Sequence, residues 1–193
     1  MSGLDRFAAG LLWCLGVLCV AGIVHILAVF NLPKLERAEP LVRIAALTNR
    51  SDMTLLPHAA PGAEWAPFSD PALAQGACLF DLAHGPMRLS GDIEGDKMLT
   101  LSFRTPAGDI FYSMTDRAAQ RGGIDVLVLT PEQLETLEAE TDEDEPPPRE
   151  LRLVAPTTKG FVLVNALAAF PSQRTEAEQR VKAISCEPET VAQ

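Results

Sequence analysis

From Phe7 to Leu32 the chain carries no Asp, Glu, Lys or Arg. A bilayer core takes about 20 apolar helical residues at roughly 1.5 Å each, so this run can cross one with some tilt. It exceeds the roughly 7–15-residue apolar region of a secretory signal, and no clean small-x-small cleavage site follows it. An uncleaved single-pass anchor is therefore expected, with nearly all the remaining mass on one side of a membrane. The polar stretch Asn31-Leu32-Pro33-Lys34-Leu35-Glu36 suits the point where a helix leaves lipid. Trp13 fits an interfacial aromatic anchor. His25, the only basic side chain in the run, lies within about a turn and a half of Asn31 and reads as an interfacial or helix-packing histidine. Gly10, Gly16 and Gly22 are six apart and do not stack as a GxxxG face.

The 193 residues leave room for one further domain of ordinary size. We divide the chain into a tail and anchor (1–33), a juxtamembrane helix and proline-rich connector (34–70) and a soluble α+β domain (71–193). The formal net charge of −10 argues against a phosphate-backbone partner, so nucleic acid is not expected.

Two signals oppose each other on orientation. Arg6 precedes the span, whereas Lys34, Arg37, Arg43 and Arg50 follow it, which by positive charge alone would keep the domain in the cytoplasm. Long domains translocate largely regardless of such charge. The cysteines argue for export: Cys14 and Cys19 lie in the span, and only Cys78 and Cys186 lie beyond it. A Cys78–Cys186 disulfide would close a long loop worth about 4–5 kcal/mol in the chain-entropy model, and would imply an oxidising compartment such as a bacterial periplasm. Two unrelated buried thiols are the alternative. There is no CxxC or CxxCH motif.

Along the rest of the chain, Leu41, Ile44 and Leu47 mark one face of a short helix within 33–50, interrupted by Pro40. Pro57, Pro61, Gly62, Pro67 and Pro71 mark an extended connector, and His58 within it reads as a loop residue. Strands are expected at 77–82 and 86–90. Leu99, Leu101 and Phe103 alternate with Thr100, Ser102 and Arg104, and the turn Pro106-Ala107-Gly108-Asp109 leads into a hairpin partner at 110–114. Gly122-Gly123 breaks the chain before 124–129, a continuous apolar strand suited to a sheet centre. Thr130-Pro131-Glu132-Gln133 reads as a capping box opening a helix. The acidic run from Glu138 and the prolines 146–148 predict a solvated loop near 138–149; the run lacks the order and glycine of a calcium loop. Strands follow at 151–154 and 161–167, and Pro171 opens a last helix expected to reach Cys186. The sum is a mainly antiparallel α+β domain in meander order with two or three helices.

Chemistry-bearing patterns are sparse. No HxxH, HExxH, GxSxG or glycine-rich phosphate loop occurs, so no metal, cofactor or hydrolase elbow is expected. Cys78 with His84 as its base is a weak nucleophile arrangement. Asp116 and Arg117, with Asp81 beside them if their strands neighbour each other, form the ligand-binding candidate: an arginine–carboxylate group able to hold a carboxylate or phosphate. A buried ion pair or turn-capping network that pins sheet register is the plainer account of them.

The segments Ala77-Cys78-Leu79-Phe80-Asp81-Leu82, Leu101-Ser102-Phe103 through Ser113, Asp116-Arg117-Ala118, Leu127–Pro131 and Gly160–Leu167, with the closing Cys186, resemble domain of unknown function 1254 in its short, single-span alphaproteobacterial form. The resemblance implies a bacterial envelope protein with its domain exported. It also implies a membrane-anchored partner of the domain of unknown function 1214 type, or a larger complex. It supplies no catalytic residue, and the acidic insert departs from the family pattern. The expected function is a non-catalytic accessory or scaffold subunit of the inner membrane, docking a periplasmic domain on another envelope protein. The alternatives are a small-ligand or lipid-headgroup binding domain using Arg117 and, third, an envelope enzyme, which would need Asp81, His84 and Arg117 in one pocket.

Overall fold

The computed structural model describes residues 3–35, 40–48, 52–60, 62, 65–66, 69–93, 97–118, 123–140 and 150–189. The acidic and proline run at 141–149, and Pro61, Pro67 and Gly122, lie outside them. The chain forms two compact units, Met1–Ala38 and Glu39–Gln193.

The first unit is helix α1 (Gly3–Leu35), which is long and apolar enough to cross a membrane. Trp13 and His25 both sit on it, exposed. Near its end the Asn31 side-chain amide donates back to the Leu27 carbonyl at 2.7 Å, so its polarity is absorbed by the helix itself.

The second unit begins with α2 (Pro40–Ala45) and β1 (Thr54–Leu55), followed by β2 (Leu73–Asp81), β3 (Met87–Asp92), β4 (Leu99–Arg104), β5 (Ile110–Thr115) and β6 (Gly123–Leu129). Next come α3 (Pro131–Glu140), β7 (Leu151–Val154), β8 (Lys159–Leu167), α4 (Arg174–Lys182) and β9 (Ile184–Pro188). Strands β1-β2-β8-β4-β5 form one sheet and β7-β6-β3-β9 the other. All neighbouring pairs are antiparallel except β6–β7, which is parallel and joined through α3.

Alternation decides what each strand buries. Ala74, Cys78 and Phe80, Leu99, Leu101 and Phe103, and Val162, Val164 and Ala166 point from the first sheet into one core. Met87 and Leu89, Ile124, Val126 and Val128, and Ile184 and Cys186 enter it from the second. A second cluster lies on the outer face of the first sheet, where Ile44, Leu56, Ala77, Phe161 and Leu163 pack with Leu41 and Leu47. The face read from Leu41, Ile44 and Leu47 is thus the one α2 and its following turn bury.

The hairpin β4–β5 forms as expected, with an irregularity between Phe103 and Arg104. Its turn needs Gly108, whose φ of 91° is strained for any residue with a Cβ. The capping box also forms: the Thr130 amide donates to Gln133 Oε1 at 2.9 Å and the Gln133 amide to Thr130 Oγ1 at 3.2 Å.

Strand order differs from a meander. β8, from late in the chain, inserts between β2 and β4, because its run Phe161-Val162-Leu163-Val164 is apolar on both faces and finds cover only at a sheet centre. Cys186 differs in setting too: α4 stops at Lys182, and Cys186 lies on β9 rather than on a helix. There it bonds Cys78 across the core, Cα to Cα 6.6 Å. The alternative of two free thiols is thereby closed.

Two predictions follow from this packing. The Cys78→Ala, Cys186→Ala double variant should lose about 4–5 kcal/mol, since the bridge spans 108 residues of sequence; urea unfolding of the isolated second unit checks it, and an unchanged midpoint contradicts it. A Cβ at Gly160 would overlap the Arg104 carbonyl oxygen and the Phe80 ring. Because the former is backbone in a paired strand, Gly160→Ala should cost about 2 kcal/mol or more in the same assay.

Candidate functional site

The two sheets leave the second unit with two distinct ends. At one, β2 finishes at Asp81 and β8 begins at Lys159. At the other, β2 begins, β8 and β3 finish, and α4 packs across the strand ends with Ala177 and Val181 fully buried.

Asp81 lies exposed at the first end. Its Oδ2 is 3.1 Å from Lys159 Nζ, and its Oδ1 accepts from the Ala83 amide at 3.2 Å, capping a 3-10 turn at Leu82–His84. Partial burial pushes its carboxyl up, but the Lys159 hydrogen bond and charge, the Ala83 amide and His84 outweigh this and hold it below the ordinary value. Asp81 and His84 line a cleft of about 280 Å³ with Phe80, Met87, Cys186 and Glu187.

On the outer face of the second sheet Arg88 is clamped by two carboxylates. Nη1 donates to both oxygens of Asp125 at 2.9 Å, while Nε donates to Glu189 Oε2 at 2.8 Å and Nη2 to Oε1 at 3.3 Å. Glu189 foremost holds the guanidinium in its charged form. Sequence reading missed this triad, because its members come from β3, β6 and the residue after β9, and only the sheet register aligns them.

Asp116 and Arg117 lie at the opposite end from Asp81. Thr115 pairs with Thr100, Thr100 with Asn165 and Asn165 with Gln75, so Asp116 follows a row six strand positions from Asp81. That is about 20 Å along the strands, with β8 and β4 intervening across them. The expected neighbourhood of Asp81, Asp116 and Arg117 does not form, since the strands carrying them are not neighbours. Arg117 is exposed and lines neither cleft, whereas Asp116 is only 8% exposed. Asp81 and His84 therefore share a pocket without Arg117, and the arrangement an enzyme of that kind would need is not assembled.

Asp116 instead opens on a cleft of about 300 Å³ beneath α4, lined by Asp92, Ile93, Lys97, Leu99, Glu176, Gln179, Arg180 and Ala183 as well. Its Oδ1 accepts from the Arg117 amide at 3.0 Å. Glu176 Oε1 lies 2.6 Å from Lys97 Nζ, and that ammonium holds the Glu176 carboxyl below its ordinary value. Arg180 Nη2 donates to the Leu167 carbonyl at 2.7 Å and Nη1 to the Lys97 carbonyl. Its Nε is buried and, among the described residues, has no hydrogen-bond partner. Met98, on the cleft's rim between Lys97 and Leu99, holds a left-handed φ of 42°, which costs a non-glycine residue about 1 kcal/mol. Among the described residues no group of three or more His, Cys, Asp or Glu is placed to hold a metal ion.

No family model matches the chain, and no curated protein matches it. Solved structures do. The VPA0106 protein of Vibrio parahaemolyticus matches with a TM-score of 0.52 at 8% identity, over 73% of this chain and 31% of that one. An uncharacterized protein from Burkholderia cenocepacia matches with a TM-score of 0.43 at 13% identity, over 72% of this chain and 34% of that one. The chain thus spans about a third of the length of these structural relatives, and the likeness to the Vibrio protein is one of fold.

The Asp81 pair sets an acid limb. With its folded value lowered, Asp81 contributes stability that is present above the ordinary carboxylate value of 3.8 and is lost as pH falls through the lowered one. Asp81→Asn should therefore be less stable than the parent at about pH 6. The gap should close as pH drops below 3.8, as measured by urea midpoints across that range. A gap that widens on acidification contradicts the pairing.

Proposed function

We propose that the chain is a non-catalytic accessory subunit: a single-pass anchor in a bacterial inner membrane, bearing a periplasmic domain that docks on a second envelope protein. Export is supported by the Cys78–Cys186 bridge, whose sulfurs are buried in the core and whose persistence needs an oxidising compartment. The apolar helix α1 supplies the anchor. The resemblance to domain of unknown function 1254, with its partner of the 1214 type, belongs to this proposal and names the kind of protein to look for.

The observation that supports docking is a pair of open sheet edges. β5 and β7 end their sheets, and Ile110 on the one and Leu151 and Val154 on the other are exposed.

Extraction of the full chain at native expression in mild detergent, followed by affinity capture, should return one stoichiometric membrane protein. A clean monomer overturns the docking. A cysteine placed at the exposed Asp109 should react with a membrane-impermeant maleimide once the outer membrane is permeabilised; protection there, with labelling only after lysis, overturns the topology.

A further inference from the structure

The first turn of α2 is fastened to the β4–β5 turn. The Leu41 amide donates to the Pro106 carbonyl at 3.3 Å, and the Pro40 ring lies 3.0 Å from where a Cβ of Gly108 would stand. At this junction apolar side chains face water: Val42 is 63% exposed and Ile110 54%, and Ala107 is exposed as well. α2 has already buried Leu41 and Ile44 against the first sheet, so folding makes no use of Val42.

Arg104 ends β4 at the base of the same turn, half-buried. Its Nε donates to Ser102 Oγ at 3.2 Å and its Nη1 to the Gly108 carbonyl at 3.4 Å. Its Nη2 makes no bond among the described residues and reaches the surface. Burial pulls this guanidinium below its ordinary range, and among the described residues no carboxylate pairs with it or with Arg43, exposed on α2. Over residues 40–48 and 104–110 two arginines stand against one carboxylate, Asp109, a positive balance in a chain of formal charge −10. The tether supplies the last constraint. Pro40 comes five positions after Leu35, where α1 ends, and five residues reach at most about 18 Å.

We propose that this junction is an interfacial contact with anionic lipid. Arg104 Nη2 donates to a lipid phosphate, and Arg43 adds positive charge at the same surface. Val42, Ala107 and Ile110 sink to headgroup level, with the Asp109 carboxylate left in water. An acidic protein would match the charges, but only the bilayer is brought within reach by the chain itself. The contact rests on the reading of α1 as a membrane anchor; it is independent of the compartment and of any docking partner.

The test uses the full chain carrying Cys14→Ser and Cys19→Ser, which leave the Cys78–Cys186 bridge intact. It is reconstituted into phosphatidylcholine vesicles with or without phosphatidylglycerol. A bimane label on Ala107→Cys should emit at shorter wavelength and be quenched by headgroup-level nitroxide lipid when phosphatidylglycerol is present. The same label on Phe170→Cys, exposed at the α4 end, should not. Arg104→Gln should weaken the contact about fivefold, read as lost quenching, and high salt should do the same. The pair Val42→Gln, Arg43→Gln, both on exposed positions of α2, should weaken it as much without touching the fold. Equal quenching at the two labelled sites overturns the proposal, as does quenching that survives both sets of substitutions and the omission of phosphatidylglycerol. Alkaline carbonate separates the two readings. A chain that it extracts overturns the anchor and this contact with it; a chain that is retained but unquenched at Ala107→Cys overturns the contact alone.

Discussion

The second unit depends on the insertion of β8 between β2 and β4. Without that strand the first sheet would fall into two hairpin-sized pieces, neither able to cover its own apolar face. The insertion is tight at its start, where Gly160 lies against the Arg104 carbonyl and the Phe80 ring and leaves no room for a side chain. It is polar at its end, where Asn165 accepts from Gln75 Nε2 at 2.8 Å and faces Thr100 on the other side. Apolar pressure brings β8 to the centre, and these two points fix its register. β2 then carries Cys78 into the core opposite Cys186, so the bridge ties the sheet that β8 completes to the one that β9 closes.

Much of this was legible locally. The period-2 pattern of 99–104, the turn at Pro106–Asp109 and the Thr130–Gln133 box each carry their own instructions in neighbouring residues, and each forms as read. The apolar run Ile124–Leu129 also lies inside its sheet. Sequence separation is what hid the rest. Nothing near Phe161 says which strands will flank it, and nothing near Cys186 distinguishes the end of a helix from the start of a strand. The segment Val181–Pro188 holds both, and its two states are decided by pairing with β3. For the same reason Asp81 and Asp116, both at strand ends, could be read as neighbours when they stand at opposite ends. The buried Asp116 had no sequence signal beyond its position after a strand; Arg180 and Arg88 had none.

α4 shows how the open end of such a sandwich is closed. Arg174 Nη1 donates to the Leu73 carbonyl at 2.8 Å, and Arg180 Nη2 does the same at Leu167. Two guanidiniums from one helix thus take up carbonyls where β2 and β8, paired at Leu73–Leu167, run out of partners. Ala177 and Val181 sit between them on the buried face, with Gly76 leaving space for the Val181 side chain. The helix is otherwise polar, and its hold on the sheets is made as much of these charge-assisted bonds as of apolar area.

The two ends of the unit therefore treat charge differently. At the Asp81 end and on the nearby outer face, three carboxylates meet cations: Asp81 meets Lys159, and Asp125 and Glu189 meet Arg88. These pairs are partly exposed and individually worth about 1 kcal/mol or less, but none leaves a group stranded. At the α4 end Glu176 meets Lys97, whereas Asp116, only 8% exposed, accepts from the Arg117 backbone amide, and Arg180 spends both Nη atoms on backbone carbonyls. Charge at one end is thus met mainly by charge, and at the other largely by the main chain, which is what an α-helix laid across open strand ends requires.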